Sequence, residues 1–115
     1  MKRGDVYIAN INPRSGSEQT GIRPVIIISH DGFNLTSNWN SIVIVPVSTS
    51  QNQSMRSPTT VNLPSGSGGL EKDSIALCHQ ITILDKSKLQ KKLGSLSDIE
   101  IKEIEQSIKF ALAIS

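Results

Sequence analysis

Aromatic side chains are scarce in this chain: Tyr7, Phe33, Trp39 and Phe110 are the whole complement in 115 residues. A core built without them must be filled by Ile, Val and Leu, and β-branched side chains suit a pleated sheet better than a helix. The same scarcity argues against a generic single-strand nucleic-acid binder, whose bases stack on aromatic platforms. Cysteine is nearly absent as well. Cys78 stands alone, so no intramolecular disulfide can form. Its neighbours Leu77 and Ile81 describe a buried, inert thiol, with no adjacent positive group to favour the thiolate.

Long apolar runs are missing. The densest stretches, residues 25–28 and 42–47, fall far short of the roughly 20 residues that cross a bilayer. No apolar run follows the opening Met1, Lys2, Arg3, Gly4, Asp5, so neither a membrane span nor a secretory signal is expected, and the expected location is the cytoplasm. A dominant charge sign is absent too: 12 Lys and Arg stand against 10 Asp and Glu, a net charge of +2. That permits an anionic partner without demanding one. His30 and His79 have no Cys or His at i+3 or i+4, and no GxxxxGKS loop occurs, so neither a metal nor another cofactor is expected.

What the chain does have is strand patterning. Alternation or dense apolar runs mark five predicted strands at residues 5–11, 25–29, 41–47, 59–63 and 74–84, the second and third buried on both faces. Turn-rich pieces separate them, including 12–21, 31–40, 51–57 and 64–69, where four of six residues are Pro or Gly. Residues 86–93 read either as a short helix closed by Gly94 or as a helical turn followed by an edge strand. Near the end, Ser97 and Glu100 form a capping box, and Leu96 is placed to staple onto Ile101. Ile101, Ile104, Ile108, Ala111 and Leu112 then recur at helical spacing to the C-terminus. The length fits one domain over residues 1–115. Short connections, one closing helix and no βαβ alternation predict a mainly β fold, an open, strongly bent antiparallel barrel with a C-terminal helix.

Two polar clusters stand at strand ends. Ahead of the second strand run Ser15, Gly16, Ser17, Glu18, Gln19, Thr20, Gly21, Ile22 and Arg23. Pro24 keeps Arg23 extended and aims its guanidinium, a fixed cation that can hold a phosphodiester. An ordinary surface salt bridge from Arg23 to Glu18 or Asp73 is the competing reading. After the third strand come Ser48, Thr49, Ser50 and Gln51, either a hydroxyl-rich turn or, if the two strands are neighbours, the other half of a phosphate site.

These residues carry a resemblance. The opening Lys2, Arg3, Gly4, Asp5, Val6, Tyr7, the run Gly16 to Gln19, then Gly21, Ile22, Arg23, Pro24, Val25, the run Val43 to Ser50, and Asp73, Ser74, Ile75 through Gln80 resemble, in order, the MazF/PemK family of toxin endoribonucleases. The resemblance implies an SH3-like open barrel acting as a homodimer. It implies cleavage of single-stranded RNA without metal, by attack of a ribose 2′-hydroxyl that leaves a 2′,3′-cyclic phosphate and a 5′-hydroxyl. It also implies restraint by a MazE-like antitoxin.

Carried over by motif, the arginine before proline is Arg23, and the hydroxyl after the third strand falls on Ser48 or Thr49. Side-chain alternation discriminates between those two. The resemblance further implies RNA contacts from Ser17, Glu18, Gln19, Thr20, His79 and Gln80. Arginine is a poor proton shuttle but a strong bidentate partner for non-bridging oxygens, so charge stabilisation is its expected part. A second family branch uses a His in the first loop with an Arg and Asp near the fifth strand. This chain has Ser17, Leu77 and His79 there, so that set is missing. The alternative function is a barrel like that of CcdB, which poisons gyrase by binding it through the end of the C-terminal helix.

Overall fold

Strands apolar at consecutive positions need cover on both faces, and the sheet supplies it by curling. The computed structural model describes residues 1–11, 21–49 and 57–115. Within them the elements run β1 (Asp5–Ile11), β2 (Gly21–Ile27), α1 (Asp31–Asn34), β3 (Ser41–Ser48), β4 (Thr60–Leu63), β5 (Ser74–Leu77), β6 (Thr82–Asp85), β7 (Leu89–Ser95) and α2 (Asp98–Ala111). Single 3₁₀ turns occupy Ser67–Gly69, Cys78–Gln80 and Lys86–Lys88. Every strand pair is antiparallel, in the order β4-β5-β3-β2-β1-β7, with β6 also on β3.

Val25, Ile26 and Ile27 are all fully buried, as are Ile44, Val45 and Val47. Alternation sends them to two cores. Ile26, Val45 and Val47 join Val6, Val61, Ala76 and Ile104 under α2. Val25, Ile27, Ile42 and Ile44 join Ala9, Ile11 and Leu84 on the opposite face. Burial of each isoleucine is worth roughly 1.5–3 kcal/mol, so the paired strands are the most strongly held part of the sheet.

The sheet differs from the sequence expectation at three points, and at one more it decides between two readings. The second strand starts at Gly21, not 25, because β1 pairs with it as far as Ile11↔Gly21. The single strand expected over 74–84 is two strands. The Cys78–Gln80 turn breaks it, so that β5 pairs with the end of β3 and β6 with its beginning, which bends the sheet toward closure. Residues 86–88 form the helical turn and β7 the edge strand, the second of the two readings, and β7 pairs with β1. Finally, the 31–40 segment holds the one-turn helix α1, capped by the His30 side chain, which accepts from the Gly32 amide.

The capping box of α2 is formed as expected. The Glu100 amide donates to Ser97 Oγ at 3.2 Å, and the Ser97 amide donates to Glu100 Oε1 at 2.9 Å. Leu96 and Ile101 sit in the same core beneath it. The helix stops at Ala111, and Leu112, expected on its apolar stripe, is 52% exposed beyond the last turn. Ser107 is the buried residue the stripe did not anticipate; its hydroxyl donates to the Pro58 carbonyl at 2.7 Å and ties the helix to the chain entering β4.

The glycine-rich 64–69 loop packs inward. Gly68 nests against Val6 and Leu96, and a Cβ on Gly69 would fall on the Leu93 carbonyl. Asp5, 3% exposed, is the polar counterpart of this packing: it accepts from the Ser95 hydroxyl at 2.6 Å and the Lys2 amide at 2.9 Å, with Lys92 at 3.3 Å. Burial pushes its carboxyl up, but these donors outweigh it and hold the group below its ordinary range.

Candidate active site where two strands part

Strands β2 and β3 are neighbours, and their ladder runs Ile27↔Ile44, Ile26↔Val45, Val25↔Pro46. It ends there. Pro24 and Pro46 both lack the N–H that would extend it, and prolines are tolerated only where a ladder bond is dispensable. Beyond this point β2 continues on β1 alone, with Pro24 opposite Ile8 and Arg23 opposite Ala9, while β3 turns to β5, with Ser48 opposite Ile75. Past the ladder's end Arg23 stands on β2, and Ser48 and Thr49 stand at the end of β3. Pro46, which the sequence reading did not single out, is the signal that could have marked this point.

Alternation and exposure divide Ser48 from Thr49. Arg23 shares the parity of Val25 and Ile27, and Ser48 that of Ile42 and Ile44, all lining the core opposite α2, so Arg23 and Ser48 belong to one face. Continuing the Val25↔Pro46 register brings them level. Yet Ser48 is only 4% exposed. Thr49, the first residue past β3, is exposed, and Arg23 is half-buried. Both Arg23 and Ser48 have interaction partners within the fold. The hydroxyl sharing the cation's face is thus the covered one, and the hydroxyl open to solvent lies just past the strand.

The Cys78–Gln80 turn comes alongside β3 between its pairings with β5 and β6, on the edge away from β2. His79 is exposed there and Gln80 half-buried. Thr82 follows on β6, opposite Ile44, and was not singled out from sequence. Gln80 and Thr82 also have partners. Strand β3 is therefore flanked by Arg23 on one side and by His79 and Gln80 on the other. Ser17, Glu18, Gln19 and Thr20, with Ser50 and Gln51, lie outside the described residues.

Cys78 is buried inside this turn. Burial pushes its thiol up, against a smaller opposing effect from Ser107, so it is packing material here. Among the described residues no three His, Cys, Asp or Glu side chains gather where they could hold a metal ion, and no helix is long and apolar enough to cross a membrane. A guanidinium on one strand and hydroxyls at the end of its neighbour are groups suited to an oxyanion with non-bridging oxygens on two sides.

A family model described as the PemK-like, MazF-like toxin of type II toxin-antitoxin system matches residues 2–112. The Endoribonuclease MazF of Staphylococcus saprophyticus is 42% identical over 114 residues, spanning 99% of this chain and 92% of that protein. Among solved structures, an endoribonuclease in complex with its cognate antitoxin from Mycobacterial species superposes with a TM-score of 0.80 at 22% identity, covering 100% of this chain and 97% of that one. MazF of Deinococcus radiodurans gives 0.80 at 22% identity, covering 98% and 96%. At such identities these two speak for the fold.

Proposed function

The chain belongs to the PemK-like, MazF-like toxins of type II toxin-antitoxin systems, and on that footing we propose that it arrests growth as an endoribonuclease cutting single-stranded RNA at the cleft between β2 and β3. A ribose 2′-oxygen attacks the adjacent phosphorus, the P–O5′ bond breaks, and the products are a 2′,3′-cyclic phosphate and a 5′-hydroxyl. The 2′-hydroxyl loses its proton and O5′ gains one, so neither metal nor activated water is required. The expected setting is cytoplasmic messenger RNA.

Arg23 carries the charge that builds on the non-bridging oxygens of the pentacoordinate transition state. A guanidinium stays protonated in proteins, which suits it to hold charge and not to pass protons. Thr49 orients the scissile phosphate because its hydroxyl is accessible; Ser48, on Arg23's face but covered, holds the end of β3 in place. Gln80 and His79 contact RNA from the other edge of β3, and Ser17, Glu18, Gln19 and Thr20 contact it from the segment before β2. The functional unit is a homodimer, and a MazE-like antitoxin inhibits by laying a segment that is disordered when free over the RNA cleft. The gyrase-poison alternative is not favoured: the relative is named an endoribonuclease.

The observation that supports this reading is the end of the β2–β3 ladder at Val25↔Pro46, whose register continues to Arg23 level with Ser48, one residue before the exposed Thr49. Incubating the purified protein with a long transcript, with and without EDTA, tests it. Cleavage unaffected by EDTA and leaving 5′-hydroxyl ends is expected; an intact transcript would sink the enzyme reading.

A further inference from the structure

At the other end of the β2–β3 pair, α1 and the residues after it hold two of the chain's four aromatic rings on the surface. Phe33 and Trp39 pack with ring centroids 4.9 Å apart at an interplanar angle of 34°, and each is 45% exposed. A chain so poor in aromatic residues gains little by pairing two of them in solvent, where about half of each ring buries nothing.

The pair is held rigidly. Lys86 reaches across from the turn after β6, its Nζ donating to the Phe33 carbonyl at 3.0 Å and the Thr36 carbonyl at 2.9 Å, while its amide donates to the Asn40 carbonyl at 2.7 Å. The Trp39 amide closes onto the Thr36 carbonyl at 3.1 Å, and buried Asn34 anchors α1 through the Ser29 carbonyl at 2.7 Å.

The charge around the pair is mixed, Lys86 and Lys88 standing against Asp31 and Asp85, and Lys86 is the charge directly beside the rings. Lys86 meets neutral carbonyls in these bonds, and Lys88 follows it in the same turn. The nearby carboxylates are occupied by the fold: Asp31 accepts from the Arg3 amide at 2.7 Å and Asn34 at 3.0 Å, and Asp85 caps the Lys86–Lys88 turn through the Ser87 amide at 2.9 Å. His30 lies edge-on to Phe33 with centroids 6.5 Å apart. Half-exposed rings, held in place with the Lys86 ammonium bonded to the Phe33 carbonyl, have the composition of a base-stacking platform for single-stranded nucleic acid.

We propose that Phe33 and Trp39 form a stacking subsite for a base of the RNA substrate outside the scissile step. Strand β3 runs from beside this platform at Ser41 to the cleft at Ser48, and seven steps at about 3.3 Å put the two roughly 23 Å apart. An RNA engaging both extends several nucleotides past the cut, within the roughly 4–16 nucleotides that small barrels cover on single strands. The platform rests on the endoribonuclease reading for its ligand and adds affinity for long substrates over short ones.

Trp39 is the only tryptophan, so intrinsic fluorescence reports on this site directly. The protein is titrated with a long mixed-sequence 2′-O-methyl RNA, which lacks the attacking hydroxyl, while anisotropy of the labelled RNA follows total binding. Quenching that tracks the anisotropy is expected. Trp39→Ala should weaken binding of the long RNA about tenfold, the size of one lost base stack, and Trp39→Phe should restore most of it. The half-exposed position lets the alanine variant fold, and Trp39→Phe checks this independently.

Saturated anisotropy with unchanged Trp39 emission overturns the platform, as does a Trp39→Ala variant that binds as tightly as wild type. Quenching by the antitoxin with none by RNA overturns it in favour of a protein-docking patch. Cleavage of an ordinary transcript is assayed alongside. Cutting with a silent Trp39 removes the platform alone, whereas absence of cutting removes the ribonuclease reading whatever the fluorescence does.

Discussion

Val25 and Pro46 form the last cross-strand pair between β2 and β3, and past it the two strands take different partners. Pro24 and Pro46 have no N–H to carry the ladder on, so the pairing stops with Arg23 and Ser48 just beyond it on neighbouring strands.

Arg23→Ala should lower RNA cleavage about 10²–10³-fold, the usual effect of removing one donor to a developing oxyanion. Arg23→Lys should recover only part of this, because an ammonium keeps the charge and loses the bidentate fork. Thermal denaturation should be nearly unchanged in both, since Arg23 is half-buried at a strand end. A variant that cuts as fast as wild type contradicts the assigned role.

Ser48→Ala and Thr49→Ala should separate. The exposed Thr49 is expected to lose about tenfold or more in turnover at constant stability. The covered, partnered Ser48 should instead cost about 1–2 kcal/mol of stability with turnover within a few-fold of wild type. Single-turnover rates read beside chemical denaturation distinguish the two, and the reverse pattern would transfer the phosphate contact to Ser48.

Asp5 makes stability depend on pH in acid. Its folded-state carboxyl lies below the ordinary 3.8, so its contribution is complete above that value and is lost as pH falls through the lower folded value. Asp5→Asn should flatten this part of the acid profile and destabilise the protein at neutral pH by about 1–3 kcal/mol, as the Ser95 and Lys2 donors lose a charged acceptor. Denaturant midpoints of the two proteins between neutral and strongly acid pH provide the check; parallel profiles would rule the linkage out.

Gly69→Ala should be among the most damaging single-methyl additions in the chain. Gly69 has φ +79°, and its new Cβ would fall on the Leu93 backbone carbonyl of β7, which has no rotamer to escape into. At Gly66, also at positive φ but with open space beside it, the same change should cost only about 1–2 kcal/mol. Comparable melting temperatures for the two variants would contradict the packing described.

The double-sided burial of 25–27 and 44–47, the capped final helix and the barrel class were legible because they rest on local chemistry: consecutive β-branched residues, Ser97 with Glu100, and turn residues between runs. The break at Cys78–Gln80 was not, since Ile75, Leu77, Ile81 and Ile83 keep one parity across it and only His79 departs from the pattern. Only the two successive partners on one edge of β3 force the bend. Leu112 keeps helical spacing in the sequence, but α2 ends at Ala111 and leaves it exposed as the C-cap residue.

The site divides the same way. Arg23 with Pro24, and the hydroxyl pair Ser48 and Thr49, could be named from residue types and family resemblance, since chemistry of that kind is written locally. Which hydroxyl reaches solvent and that Pro46 ends the ladder opposite Val25 are consequences of register and cover. Those depend on which strand lies beside which, a long-range pairing that no local pattern encodes.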